Sequence, residues 1–369
     1  MKIKYYLYFF IITNACAEPR SNLEIFKDKI ILITGGAGFI GKALITKILN
    51  YNPKKIIVFS RDEFKHFQIL DKFQSNKITT IIGDVRDADA LDKALDGVDI
   101  VLHAAALKRI DILESSFDES IKTNILGTLN LVKSCKKNGI KQAVLVSTDK
   151  ACFPINVYGA CKFLSEKIFT NSQDSNTIFS VVRYGNVLES TGSIIPFLAN
   201  RIQEDAIIPL TDYQMTRFII TKEDAVDLIF NALRFSQGGE IFVPQLPSLR
   251  IIDLITTMKN IFKKENKIAV IGLRPGEKIH EILVNKSEML RAYEYNNMYI
   301  ITSCLRNTNL ADKLPIYISE GIAAKNMTNI SSKDFVVSIE KIESILKNMD
   351  SQYLKYNPEA KRSFRYVDL

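Results

Sequence analysis

From Lys29 onward, short runs of β-branched and other apolar residues alternate with stretches in which apolar positions recur with helical spacing. The apolar runs predict strands at Ile30 to Thr34, Lys55 to Ser60, Ile78 to Ile82, Asp99 to His103, Gln142 to Ser147 and Ile178 to Arg183. Each is short and largely apolar, as a strand buried on both faces must be. Between them the spacing predicts helices over 39–50, 63–74, 87–96, 112–137 and 155–171, the fourth long enough to cross a sheet. Strand-helix-strand units are right-handed, so this order implies an α/β fold: a doubly wound parallel sheet of the Rossmann type.

Beyond Arg183 the rhythm loosens. Helices are expected over 193–204, 222–235 and 250–263, separated by the proline-containing segments Ile207 to Phe218 and Glu240 to Leu249, with a small strand at Lys267 to Ile271. The region reads as a smaller lobe folded over the end of the sheet. The expected division is an N-terminal extension over 1–21, a nucleotide-binding domain over 22–185, a substrate lobe over 186–300 and a C-terminal extension over 301–369. That last part reads as mostly irregular around one helix near 333–348.

Composition narrows the class. The chain has 369 residues, 47% hydrophobic and 24% charged, so it can bury a full core and is neither disordered nor collagen-like. Forty-nine basic residues against 41 acidic ones give +8, but they are dispersed, so a generally basic surface is expected and no nucleic-acid partner. No apolar run reaches the roughly 18 residues of a transmembrane helix. The five cysteines, Cys16, Cys135, Cys152, Cys161 and Cys304, form no C-x-x-C pair, and the three histidines lie far apart, so neither a disulfide framework nor a metal site is expected. At the N-terminus, Lys2 and Lys4 precede an apolar run from Tyr5 to Ile12, and Ala15-Cys16-Ala17 has the small-x-small form of a signal-peptidase site. The run is short and tyrosine-rich, and the cofactor argued for below is intracellular, so a cytoplasmic location is expected, with secretion or organelle targeting as the alternative.

Candidate chemistry begins at the first predicted turn. Strand Ile30 to Thr34 leads into Gly35-Gly36-Ala37-Gly38-Phe39-Ile40-Gly41 and then a helix. Gly35 or Gly36 permits the tight turn, Gly38 lets backbone approach a pyrophosphate, and Gly41 allows close helix-strand packing; Phe39 and Ile40 open the helix whose N-terminus supplies N–H donors. The second strand ends in Ser60-Arg61, with Lys65 one helical turn on. A hydroxyl and an arginine fork suit a ribose 2′-phosphate, so NADP is expected over NAD; in the alternative, Arg61 is solvated and Asp62 takes the ribose. Asp84, followed by Val85, would place a carboxylate near the adenine amino group. Ala104, Ala105 and Ala106 form a small-residue floor beside the cofactor, followed by Lys108. Tyr158 and Lys162 are four apart and so share a helix face. A lysine ammonium beside a phenol lowers its pKa, letting tyrosinate take a hydroxyl proton as hydride leaves the same carbon.

The Gly-rich turn, the alanine turn and Tyr158-x-x-x-Lys162 together resemble the extended short-chain dehydrogenase/reductase superfamily. Within it, Ser147-Thr148-Asp149-Lys150-Ala151 and Pro154-Ile155-Asn156-Val157-Tyr158-Gly159-Ala160-Cys161-Lys162 look like the inverting UDP-N-acetylglucosamine 4,6-dehydratases of pseudaminic acid synthesis. Ser60-Arg61-Asp62-Glu63, Lys122-Thr123-Asn124, Met215-Thr216-Arg217-Phe218 and Arg274-Pro275-Gly276-Glu277-Lys278 extend the resemblance, which covers about 25–300. Two departures are Cys161, where this family usually has Thr, and Phe39-Ile40, which replaces a Ser-Phe pair.

The resemblance implies a UDP-sugar substrate and an internal redox reaction. Tyr158, helped by Lys162, deprotonates the C4 hydroxyl as NADP⁺ takes the hydride; Lys150 serves as C5 base and Asp149 as acid toward C6; the hydride returns to C6 and C5 is reprotonated with inversion. Thr148 stands beside the reacting sugar. Lys108, Asn186, Arg217, Arg274 and Glu277 are the implied substrate contacts, the arginines for diphosphate or uridine and Glu277 for a ribose hydroxyl. A homo-oligomer is expected. The rival readings are a nucleotide-sugar 4-epimerase, which would leave Asp149 and Lys150 without a task, a retaining 4,6-dehydratase, and an NADP-binding protein without catalysis.

Overall fold

The computed structural model describes residues 20–173, 176–190, 192–304, 314–324, 328–349 and 353. The expected signal-like segment and most of the basic tail lie outside the described residues. All six predicted strands are present: β1 (Ile30–Thr34), β2 (Lys55–Ser60), β3 (Ile78–Ile82), β4 (Ile100–His103), β5 (Gln142–Thr148) and β6 (Ile178–Tyr184). They pair in parallel in the spatial order β3-β2-β1-β4-β5-β6. The chain thus reverses its direction of travel between β1 and β4, leaving a crevice at their carboxyl ends, the usual ligand position in such sheets.

The expected boundary at residue 185 does not divide this sheet. Strand Ile241–Pro244, expected to be a connecting segment, pairs in parallel with β6, and Met298–Ile301, Ala292–Tyr295 and Ile322–Ala323 continue the sheet to ten strands. Pro244 is the last residue of its strand, where its missing N–H does least harm. Around this sheet lies the principal core, with Leu32, Ile33, Val101, Leu102, Val144, Leu145, Val181 and Phe242 all buried. A second core, built from Ile195, Leu198, Ile202, Leu254, Ile255, Met258, Ile342 and Leu346, holds the smaller lobe together. That lobe carries three small sheets: Asn186–Val187 with Thr216–Ile220 and Ser248–Arg250, Ile208–Leu210 with Ile268–Val270, and Ile282–Val284 with Ile330–Ser331.

The single helix expected over 112–137 is broken. Ile110–Leu113 and Phe117–Ser120 are short turns, Ile121–Leu126 is wound with i→i+5 geometry, and only Gly127–Lys137 is a regular α-helix. Ser115 and Ser116 interrupt the first part, the Ser115 hydroxyl bonding back to the Ile112 carbonyl. Among the described residues no helix is long and apolar enough to cross a membrane. The described residues also contain no group of three or more His, Cys, Asp and Glu arranged to hold a metal ion.

Candidate active site

The Gly-rich turn is built for close approach. Gly35 has φ +66°, and a Cβ there would stand 2.8 Å from the Ala105 backbone. Gly38 caps helix Phe39–Leu49 without a side chain of its own, so no N-cap side chain takes up the first N–H groups of the helix. A Cβ on Gly41 would lie 2.1 Å from the Gly36 carbonyl oxygen, so only glycine lets the helix sit this close to the turn. Phe39 and Ile40 are partly buried against the principal core. Across the cleft, the Leu107 N–H donates to Asn124 Oδ1 and Asn124 Nδ2 donates to the Leu107 carbonyl, both at 2.9 Å, which pins the loop carrying Ala104, Ala105 and Ala106. These features fit a dinucleotide: a cradle that side chains would fill, N–H donors at a helix start, and a floor of small residues.

At the far end of the cleft, Ser60 Oγ lies 2.6 Å from His66 Nε2. Arg61, half exposed, stands 3.6 Å from Asp84 Oδ2. Lys65 turns to Asp62 at 2.9 Å instead of toward Arg61. Burial works against ionisation of Asp84, but hydrogen bonds from Arg86 and the charges of Arg86 and Arg61 hold its carboxyl below the usual range. Val85 is buried against Gly127. Lys108 is exposed on the loop after β4; partial burial of its ammonium and the neighbouring Arg109 charge lower its pKa.

The reactive groups gather where β5 ends. Thr148 Oγ1 donates to Asp149 Oδ1 at 3.0 Å and accepts from the Lys150 N–H, setting a tight 3₁₀ turn over Asp149–Ala151. Lys150 Nζ donates to Asp149 Oδ1 at 2.9 Å and to Asn186 Oδ1 at 3.4 Å. Asp149 is fully buried, and its Oδ2 has no hydrogen-bond partner. Burial raises the Asp149 pKa, with Lys150 opposing and Glu281 adding to the shift. For Lys150 burial acts downward, yet Asp149 and Glu281 outweigh it and hold the ammonium more firmly than in water.

Tyr158 and Lys162 lie on helix Val157–Thr170, capped by Asn156, whose Oδ1 accepts from the Gly159 N–H at 2.7 Å. Burial pushes the Tyr158 phenol up to about 12, with Lys150 and a Thr148 hydrogen bond pulling down. Lys162, one turn further along the same helix, donates from Nζ to the Val146 carbonyl at 2.6 Å, and burial brings its pKa down to about 8; Lys150 is a second cation, and its charge bears on the phenol.

The implied substrate residues fall into two groups. Asn186 and Arg217 join the Lys150 cluster, Arg217 through Glu281 at 4.0 Å. Arg274 and Glu277 pair at 3.8 Å, with Thr211 donating to Glu277 at 3.1 Å, and the intervening Gly276 carbonyl accepts from Asn156 Nδ2 at 2.8 Å. The loop from the smaller lobe is thus tied to the cap of the tyrosine helix. Glu281, 3.6 Å from Lys150, carried no sequence signal; it follows Lys278 in an otherwise ordinary stretch, and Lys150 is more than a hundred residues away. Asn124 lies in a quoted motif, yet its role in pinning the alanine loop is visible only in the folded chain.

Comparison with known proteins agrees with this layout. The chain is 43% identical over 290 residues to the inverting UDP-N-acetylglucosamine 4,6-dehydratase of Campylobacter jejuni, covering 76% of this chain and 85% of that one. It is 38% identical over 338 residues to a protein of Rickettsia bellii named UDP-glucose 4-epimerase, covering 88% and 97%. The crystal structure of Pen from Bacillus thuringiensis superposes with a TM-score of 0.81 at 35% identity, covering 88% of this chain and 98% of that one. The family match runs from the first residues of β1 to just past the last antiparallel strand before the tail, over residues 31–303, and so takes in both halves of the cleft: the chain belongs to the polysaccharide biosynthesis protein family.

Proposed function

We infer that the protein catalyses 4,6-dehydration of UDP-N-acetylglucosamine with inversion at C5, as a carbon–oxygen lyase supplying surface-glycan or pseudaminic acid synthesis. The observation that carries this reading is the buried Asp149–Lys150 pair beside Tyr158. Removal of a proton next to a ketone, coupled to loss of a β-hydroxyl, needs a base and an acid a few ångströms apart, and these two side chains supply them. The bound nicotinamide would supply a reversible hydride acceptor at C4 and donor at C6. Gly35, Gly36, Gly38 and the start of helix Phe39–Leu49 would hold its pyrophosphate, and Ser60 and Arg61 its adenosine end.

Each residue has a definable task. Tyr158 takes the C4 hydroxyl proton. Its phenol, held near 12 in the free protein, has to be brought down in the complex, and the Lys150 cation and Thr148 hydroxyl are the groups in place to do so. Lys150 must be neutral to accept the C5 proton, whereas the resting pair is an ammonium and a carboxylate. One proton moved along the 2.9 Å hydrogen bond from Lys150 Nζ to Asp149 Oδ1 gives an amine and a carboxylic acid with no change in total charge. Burial of both groups favours that neutral form. Lys150 then accepts from C5 while Asp149 donates to the departing C6 hydroxyl, which leaves as water.

Ser60 and Arg61 at the end of β2 support NADP as the dinucleotide. Replacing Arg61 with Ala should cost about 1.5–3 kcal/mol of NADP affinity with little change for NAD; equal loss for both in a titration would remove the assignment. The need for NADP and a UDP-sugar together supports a cytoplasm-like compartment.

The 4-epimerase reading has one observation in its favour, the name of the Rickettsia relative. Epimerisation needs no exchange at C5 and no loss of water. Incubation with UDP-N-acetylglucosamine in deuterium oxide, followed by NMR of the sugar ring, separates the two. Lys150→Met should lower dehydration by about 10²–10⁴ while NADP still binds. A C4 epimer without deuterium at C5, or a Lys150→Met variant with near-normal water loss, would refute dehydration.

A further inference from the structure

The Lys150 cluster contains more charge than the reaction uses. Lys150, Arg217 and Lys278 converge on Glu281 from the smaller lobe, and Lys150 also meets Asp149 at β5's end. Glu281 is 3% exposed. Its Oε1 lies 3.6 Å from Lys150 Nζ and 4.0 Å from Arg217 Nε, and its Oε2 lies 3.6 Å from Lys278 Nζ without forming a hydrogen bond. None of these is a tight pair. The carboxylate sits between three cations at contact-ion distance, which suits a source of potential better than a partner in proton transfer.

Its position is fixed from the backbone. The Glu281 N–H donates to Ser332 Oγ and the Ser332 N–H to the Glu281 carbonyl, both at 2.9 Å. Ser332 Oγ in turn lies 2.6 Å from Thr216 Oγ1, which meets His280 Nδ1 at 2.8 Å. Three separate stretches of the smaller lobe thus brace one residue that points at the chemistry of the larger one.

We propose that Glu281 is a positioning residue of the dehydration step: a fixed counter-ion that holds the Lys150 amine between Asp149 and Asn186 and makes Asp149, not itself, the carboxyl that carries the transferable proton. This rests on the dehydration reading above and assigns the site a third charged member. Facing Glu281 are Lys150, Arg217 and Lys278; facing Asp149 are Lys150, Thr148, Tyr158 and Glu281. Without the Glu281 charge, the Lys150 ammonium would bear on Asp149 with no second carboxylate to oppose it and would hold Asp149 ionised, so it could not serve as the acid. With it, the charges of Arg217 and Lys278 are met by a carboxylate that stays ionised, and repulsion between the two carboxylates makes Asp149 the one that takes up a proton. The opposed shifts of the two acids, Asp149 up and Glu281 down, run the same way.

The test is Glu281→Gln, which keeps the shape and removes the charge. Loss of a negative neighbour lowers the pKa of both Asp149 and Lys150, so both limbs of the kcat profile for water loss should move to lower pH, by about one unit. Glu281→Asp, which keeps the charge, should leave the limbs near their wild-type positions. Lys278→Gln removes a cation and should move them to higher pH, which supplies the test if the Gln variant does not fold. A fall in rate with unmoved limbs in either charge variant would overturn the proposal. Trace acetylation of the Lys150 amine with acetic anhydride, read by mass spectrometry across pH, gives a substrate-free measure, with half-reaction in Glu281→Gln expected about one unit lower. An unshifted labelling curve would also overturn it. Shifted labelling in a wild-type background that shows no C5 exchange would instead overturn the dehydration reading on which the proposal stands.

Discussion

Arg183 shows how much of this protein's stability is committed to single buried charges. It is 1% exposed, and its guanidinium meets Glu166 at 2.6 and 3.0 Å, Glu288 at 2.8 and 2.9 Å and the Leu283 carbonyl at 2.8 Å. Arg183→Met would leave two carboxylates buried without their cation, and a urea titration should show a loss of about 3–5 kcal/mol. His103 is buried as well, but as a neutral ring. Its ring bridges Thr34 at 2.6 Å and Thr128 at 3.2 Å, and burial, with some help from the Lys162 charge, drives its pKa down to about 3. The unfolded chain takes up this proton near pH 6.5 and the folded chain does not, so stability is lost as pH falls from about 6.5 toward 3. The slope from this residue approaches about 1.4 kcal/mol per pH unit. Between pH 6.5 and 5, above most carboxylate titration, the urea midpoint should fall less steeply in His103→Asn than in the wild type. At this scale the sequence was partly legible. Asp149, Lys150 and Tyr158 are read from a local motif, because their contacts are nearly local. Glu281 is not, because its meaning arises only when a segment 131 residues downstream of Lys150 folds against it.

At the scale of elements, legibility followed the strength of the local pattern. The six parallel strands are continuous apolar runs, and the structure reproduces them to within a residue or two. Ile241–Pro244 looked like part of a linker because it is only four residues long and ends in proline; pairing with β6 and with Met298–Ile301 makes it a strand. The stretch over 112–137 carried a helical period throughout, but its third turn opens to i→i+5 at Ile121–Leu126, and Asn124 sends its amide across to Leu107. Such wide turns often mark functional sites. Helix Phe39–Leu49 yields a direct prediction. In Gly41→Ala the new methyl would collide with the Gly36 carbonyl, and relief requires the helix to lift from the turn. Overpacking of this kind costs about 1–3 kcal/mol, so calorimetric titration should find nicotinamide-dinucleotide binding weakened by roughly tenfold or more, with the fold retained.

At the scale of the whole molecule, the two halves of the chain are interleaved. The main sheet takes strands from both sides of residue 185, and Arg183 near the end of β6 draws one of its two carboxylates from Glu288. A fragment ending at residue 185 should therefore not behave as an independent nucleotide-binding domain: β6 would present an unpaired outer edge, and Arg183 would keep only Glu166. Far-UV circular dichroism with a cooperative melt from such a fragment would count against this. The same arrangement sets an order of events during synthesis. As the chain leaves the ribosome, the nucleotide cradle and Tyr158 emerge first, but the dehydration site acquires Glu281 and its brace Ser332 only after more than a hundred further residues have been translated. For most of that interval the nascent chain carries an open sheet edge and a half-matched buried charge, so it is in this window, and not after release, that the protein has most need of a chaperone.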